Sequence, residues 1–211
     1  LRDELKLELN QDKTLVTHAR DERAKFLGYE VHAMHADDKR DVRGQRGINV
    51  GIGLRVPRRV IDEHSARYMR HGKSVHRPEL LNDSPYSIVV RYQAEYGGLV
   101  QYYRLAYNLH TLQGLKRVAG ESLVKTLANK LRATSRKVYR RYGTRITTPD
   151  GTYRVLQVVV PRGDGRKPLE AHFGAVPLRR NRWAAIEESE HVVWSGRSEL
   201  LGRLLKQKCE L

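Results

Sequence analysis

The chain has 211 residues, 39% of them hydrophobic, enough for one core of moderate size or two small ones. Forty Lys and Arg against 24 Asp and Glu leave a formal charge of +16, a field that attracts phosphate backbones or anionic membranes. A lone cysteine, Cys209, excludes an internal disulfide framework, and no apolar run reaches the ~18 residues that a membrane span needs, so nucleic acid is the favoured partner.

The charge is uneven. Residues 1–36 hold six bases and seven acids, so the whole excess lies after them. The opening LRDELKLEL is charged and amphipathic and does not read as a signal peptide. A start on Leu1 and an end at Cys209-Glu210-Leu211 read as cuts in a longer chain. Leu5, Leu7 and Leu9 alternate with charged residues, Asn10 to Asp12 turns, Thr14 to Thr17 is strand-like, and Lys25 to Val31 completes a small antiparallel unit. Such a unit cannot fold alone, and its apolar side is expected to face a sheet upstream of Leu1. The glycine-rich, charged stretch from Asp37 to Gly53 reads as a linker or phosphate-side loop.

A first helix follows, with Pro57 in its first turn, Val60, Ile61, His64 and Tyr68 at helical spacing, and Gly72 as its stop; Arg58, Arg59, Arg67 and Arg70 lie off that stripe. Asp83 or Ser84 caps a second helix that enters through Pro85 and runs to about Asn108. Val89, Tyr92, Tyr96, Leu99, Val100, Tyr103 and Tyr107 share one of its faces, which places the tyrosines in the core. Tyr102, off the stripe, is the better candidate for stacking on a base, and Gly97 and Gly98 either admit a close approach of another backbone or RNA or simply weaken the helix.

A short turn at Leu112 to Val118 and a break near Gly120 then lead to a third helix, Glu121 to Gly143. Val124, Leu127, Leu131, Ser135, Val138 and Tyr142 form its stripe, flanked by Lys130, Lys137 and Arg141 on one side and by Lys125, Arg132, Arg136 and Arg140 on the other side and the back. Residues 122–149 carry eight bases and no acid. Either an external polyanion, RNA first, neutralises this surface or it is an ordinary solvated face. Beyond Tyr142 the period changes: Arg145 to Thr147, a Pro149-Asp150-Gly151 turn and Tyr153 to Val160 read as a hairpin, with Leu169, Ala171 and Phe173 as a third strand. Pro168, Pro177 and the run from Leu178 to Arg182 end it in a basic tail, and Leu200, Leu201, Leu204 and Leu205 mark a short amphipathic helix. The fold class expected is α+β: a small β unit, a bundle of about three helices, a short antiparallel extension and a C-terminal helix.

Several catalytic motifs are imitated and fail. His35-Ala36-Asp37-Asp38 has the paired carboxylates of a polymerase site but opens a charged linker rather than a palm hairpin. Gly72-Lys73-Ser74 ends like a Walker loop, yet its first glycine falls on Arg67. His32 and His35 point to different faces of a strand, Asp62-Glu63-His64 is a helix surface, and Cys209 alone cannot close a zinc site.

Taken together, KTLVTHARDERAKFLGYEV (Lys13 to Val31), IGLRVP (Ile52 to Pro57), YMRHGKSVHRPELLNDSPYSIVVRYQAEYGGLVQYY (Tyr68 to Tyr103), ESLVKTLANK (Glu121 to Lys130), GRKPLEAHFGAVPLRR (Gly165 to Arg180) and LLKQKCEL (Leu204 to Leu211) resemble the group II intron-encoded reverse transcriptase/maturase proteins. The resemblance implies that residues 1–36 end a polymerase palm, with Phe26, Leu27, Gly28 and Tyr29 similar to the primer grip. It implies a basic linker at 37–56, the thumb or domain X at 57–145, a β extension at 146–182, and at 183–211 a linker to a truncated HNH nuclease module. There Cys209 would begin a zinc pair whose second cysteine is missing. The palm dyad of the family would precede Leu1. The fragment is therefore expected to be no enzyme itself, to need no cofactor or metal, and to bind group II intron RNA in support of splicing, in a bacterial cytoplasm or an organelle. RNA contacts are expected from Arg77, Arg91, Tyr102, Lys125, Lys130, Arg132, Arg136, Lys137, Arg140, Arg141, Arg166, Lys167, Arg179 and Arg180. The alternatives are a thumb that holds an RNA/DNA hybrid or target DNA during intron mobility, and a general basic DNA-binding protein. No membrane is expected, and no oligomeric state follows.

Overall fold

The computed structural model describes residues 16–35, 40, 42–45, 51–163 and 166–181. Among them lie four α-helices and three antiparallel sheets, an α+β arrangement. The strands expected before Val16, the dyad-like Asp37-Asp38, the C-terminal helix and Cys209 fall outside the described residues.

The first sheet joins β1 (Ala24–Phe26), β2 (Tyr29–Ala33) and β3 (Ile52–Arg55). Leu27 and Gly28 both take left-handed conformations (φ 44° and 75°), the geometry of a two-residue hairpin turn that pairs Phe26 with Tyr29. β3 corrects the reading of Ile52 and Gly53 as linker: Ala33 pairs with Ile52 and Val31 with Leu54. The glycine that argued for a loop is buried in the strand, where a Cβ would lie 2.9 Å from Met34 Cγ. The apolar side of this unit meets the end of a helix: Tyr29 is buried and packs edge-on against Tyr103, with ring centroids 5.0 Å apart.

Helix α1 (Arg58–Ala66) begins after Pro57 and carries its exposed charges as i,i+4 pairs, Arg58 with Asp62 and Arg59 with Glu63. It stops earlier than Gly72. His71 and Gly72, both at positive φ, instead turn a small hairpin of β4 (Met69–Arg70) and β5 (Lys73–Ser74). Helix α2 (Pro85–Tyr102) is capped by Ser84, whose hydroxyl accepts from the Ser87 amide at 3.1 Å. It ends before the expected Asn108, so Tyr107 lies beyond it, half-buried. Helix α3 (Leu112–Lys130) runs unbroken through Gly120, against expectation, because the bare glycine lets Phe173 close over the helix; a Cβ would meet Phe173 Cε1 at 3.3 Å.

After α4 (Ser135–Tyr142), the third sheet takes the expected hairpin form: β6 (Gly143–Thr148), β7 (Gly151–Val160) and β8 (Leu169–Phe173) in the order 6-7-8. Its inward residues Leu156, Val158, Ala171 and Phe173 join the core of α2 and α3.

A polar knot sits in the α2–α3 seam. Tyr92 has no exposed surface, and its hydroxyl lies 2.8 Å from Ser122 Oγ and 3.0 Å from Thr126 Oγ1. Ser122 donates to the Val75 carbonyl and Thr126 to the Ser122 carbonyl, so the Tyr92 proton serves one of these two oxygens. The Arg77 amide donates to Thr126 Oγ1 at 3.0 Å, and its guanidinium reaches Glu95 at 2.8 and 3.0 Å and Glu79 at 2.7 Å, over the Tyr92 ring. Tyr68 donates to Glu95 at 2.8 Å.

Burial by itself would raise the Glu95 carboxyl, but the bonds from Tyr68 and Arg77 outweigh it and hold Glu95 below the usual carboxylate range. A depressed carboxylate stabilises the fold above its unfolded value of about 4.3 and loses that contribution as pH falls through the folded value. Glu95→Gln is expected to cost about 2 kcal/mol at pH 7, less than breaking a fully buried pair, because the Arg77 and Glu95 side chains keep 13% and 21% of their surface exposed. Urea unfolding should show the gap between wild type and variant closing as pH falls below about 4.

Candidate nucleic-acid interface

The expected single helix from Glu121 to Gly143 is two helices with a sharp bend. Leu131 caps α3, Arg132 is left-handed (φ 47°), the Ala133 amide donates to the Ala128 carbonyl at 2.9 Å and the Arg132 amide to Asn129 at 3.1 Å. These are the paired bonds of a Schellman ending, which ordinarily places glycine where Arg132 stands. Thr134 then accepts from the Lys137 amide and starts α4. Sequence signals miss this break because the glycine that announces it is replaced by an arginine, which carries a conformational cost of about 1–2 kcal/mol there.

The bend sets the charges of the basic stretch to different uses. Val138 is buried and anchors α4, whereas Arg136, Lys137, Arg140 and Arg141 are exposed. Among the described residues, none of these four, nor Arg132, pairs with a carboxylate. Lys137, Arg140 and Arg141, with Leu131, Ala133 and Val138, line a hollow of about 300 Å³. Lys125 and Lys130 turn back instead, donating to the carbonyls of Ser74 and Leu81.

The other sequence candidates disperse. Arg77 belongs to the knot, where its guanidinium pairs with Glu79 and Glu95 and 13% of its side chain is exposed. Arg91 is exposed and lies 3.3 Å from Glu95. Tyr102 donates to the Leu27 carbonyl at 2.7 Å and stacks on Tyr29, Tyr29 donates to the Tyr102 carbonyl, and Tyr103 donates to that of Gly28 at 3.1 Å. The Phe26–Tyr29 turn thus docks on the end of α2, leaving Phe26 and Leu27 exposed. Arg180 donates to the Leu105 carbonyl at that same end of the molecule, and Arg179 beside it is exposed. Arg166 and Lys167 are exposed ahead of β8, with the Lys167 carbonyl accepting from Arg162.

Sequence reading did not single out Lys116, Arg117, Arg145 and Arg154, which line a groove of about 630 Å³ between α3, α4 and the third sheet. They come from a helix face and from two strands, so no run or spacing announces them. Among the described residues no group of three His, Cys, Asp or Glu could hold a metal ion, and no helix is long and apolar enough to cross a membrane.

Residues 57–160, from the entry of α1 to the end of β7, match the type II intron maturase family. The chain is 30% identical over 147 residues to the group II intron-encoded protein LtrA of Lactococcus lactis subsp. cremoris, covering 65% of this chain and 24% of that protein. It is 28% identical over 167 residues to a putative COX1/OXI3 intron 2 protein of Saccharomyces cerevisiae, covering 71% and 19% respectively. The chain therefore spans about a quarter or less of the curated relatives it matches.

Two outcomes separate tethers from surface charges. Lys130→Gln is expected to lower the thermal midpoint by removing a bond to the Leu81 carbonyl, while Arg136→Gln should stay within about 0.5 kcal/mol of wild type, as exposed substitutions do. Arg132→Gly should raise stability by about 1 kcal/mol by relieving the left-handed arginine, whereas Arg132→Gln should not; denaturant melts of both decide.

Proposed function

This chain belongs to the group II intron maturases, and from that premise we propose that it binds folded intron RNA through α4 and helps the intron reach its splicing-competent form. The observation that carries the reading is the surface of Arg132, Arg136, Lys137, Arg140 and Arg141, five cations without a carboxylate partner among the described residues. A compact intron crowds its phosphates together, and its self-repulsion opposes folding. Cations fixed on a protein surface take the place of condensed counter-ions, release them to bulk, and so favour the compact form. The chemistry of splicing stays with the RNA. Stacking of exposed aromatic and guanidinium groups on unpaired bases would favour structured RNA over a plain duplex.

In this reading residues 57–145 are the thumb or domain X, residues 1–36 end the palm, and the Tyr29–Tyr102–Tyr103 contact is the seam between them. The bacterial and yeast relatives fit a setting in a bacterial cytoplasm or an organelle. The seam also favours a second reading, a thumb that grips primer and template for reverse transcription. It predicts that an RNA/DNA hybrid is held as well as intron RNA.

With about six phosphates neutralised, affinity for intron RNA should fall roughly 10³-fold between 50 and 200 mM salt. Replacing Arg136, Lys137 and Arg140 together by Gln should reduce the log–log salt slope by about 2–3. Filter binding checks both, with RNA/DNA hybrid and duplex DNA as competitors. An unchanged slope would remove α4 from the interface, and equal competition by the hybrid would transfer the surface to primer-template binding.

A further inference from the structure

The groove beside α4 combines features that a merely solvated surface does not need. Its apolar floor is Val155, Leu156 and Phe173, each with about 5% or less of its surface exposed. Tyr139, projecting from α4, forms one wall with 51% of its surface exposed. Arg117, Arg145 and Arg154 are exposed at its margin and have no carboxylate partner among the described residues. Lys116 lies deeper, half-buried, with its ammonium 5.6 Å from the centre of the Tyr153 ring and without a hydrogen-bond or ion-pair partner among the described residues. Burial pushes the Lys116 ammonium below the usual lysine range, the direction expected of a cation that an arriving anion would stabilise. The one acid in the lining, Glu121, already accepts from Ser74 at 2.8 Å. At about 630 Å³ the groove falls within the range of about 300–1,000 Å³ common to small-ligand sites.

We propose that this groove receives one unpaired nucleotide of the bound RNA, its base against Tyr139 and its phosphate among Lys116, Arg145 and Arg154. A bare phosphate would leave the apolar floor unused, and a base paired in a helix would have to break its pair and leave its stack to enter, a penalty an unpaired base does not carry. An extruded nucleotide uses both, through a π-face for the aromatic wall and an anion for the cationic rim. The inference rests on the RNA-binding reading of α4, which supplies the neighbouring phosphate contacts and contributes Tyr139 from its own helix.

The test uses two RNA hairpins identical except for a single bulged 2-aminopurine. The bulged hairpin should bind about fivefold or more tightly, and its fluorescence should be quenched as the base stacks. Tyr139→Leu should abolish the quench and the preference while leaving affinity for the plain hairpin unchanged; Tyr139→Phe should keep both. Arg145→Gln with Arg154→Gln, both at exposed positions, should reduce the preference without moving the thermal midpoint. Replacing Arg136, Lys137 and Arg140 by Gln should instead weaken both hairpins in parallel. Equal binding of the two hairpins by wild type, or a quench that survives Tyr139→Leu, overturns the nucleotide site and leaves the α4 reading intact. Indifference of both hairpins to the α4 substitutions overturns the α4 reading itself.

Discussion

The hydroxyl of Tyr92 has to be satisfied in a dry seam, and much of the molecule is arranged by how that is done. Leaving it unpaired would cost roughly 1–3 kcal/mol. Ser122 and Thr126, one turn apart on α3, both spend their own protons on carbonyls and present their oxygens to it. Thr126 also accepts the Arg77 amide, which brings the Arg77 side chain onto Glu95 and, through Glu95, onto Tyr68. Sliding α2 along α3 by one residue would break several of these bonds at once. Such a network specifies register in a way that interchangeable apolar contacts do not.

With α3 held in register, the position of everything basic follows. Phe173 closes over Gly120 and carries the third sheet against the helices, so Arg145 and Arg154 come to face Lys116 and Arg117 across a groove. At the other end of α3 the chain bends through Arg132 and lays α4 down on Val138. Adjacent like charges on so short a helix repel one another, and α4 itself has a single fully buried residue to oppose them. A surface of this kind is stabilised by an anionic ligand as much as it attracts one.

The lysines and arginines of this chain therefore do at least three different things. Arg77 pairs with the half-buried Glu95 and the exposed Glu79, Lys125 and Lys130 tie α3 to the carbonyls of Ser74 and Leu81, and the cations of α4 face solvent. Within the run from Lys125 to Arg141, lysine serves both as a tether, at Lys125 and Lys130, and as a solvent-facing charge, at Lys137. What distinguishes them is whether a carbonyl or carboxylate from a distant segment lies within reach. Arg132 adds backbone cost to its charge, and left-handed non-glycine residues of this sort concentrate where function constrains the chain.

Local chemistry was sufficient for some of this. The entry of α2 at Pro85, the burial of Tyr92 and Tyr96 on its inner face, the hairpin at Pro149-Asp150-Gly151 and the α+β class rest on interactions within a few residues, and the basic excess is a matter of composition alone. Distant pairing decided the rest. β3 was hidden because its partner β2 lies about twenty residues earlier; Gly120 did not break α3 because Phe173, far along the chain, fills the space; and the bend at Arg132 lacked its glycine signal. The division of cations between interior, tether and surface, and the groove lined from helix and strands, exist only once segments far apart in sequence are brought within a few ångströms, because burial and pairing are properties of the packed chain and not of a residue.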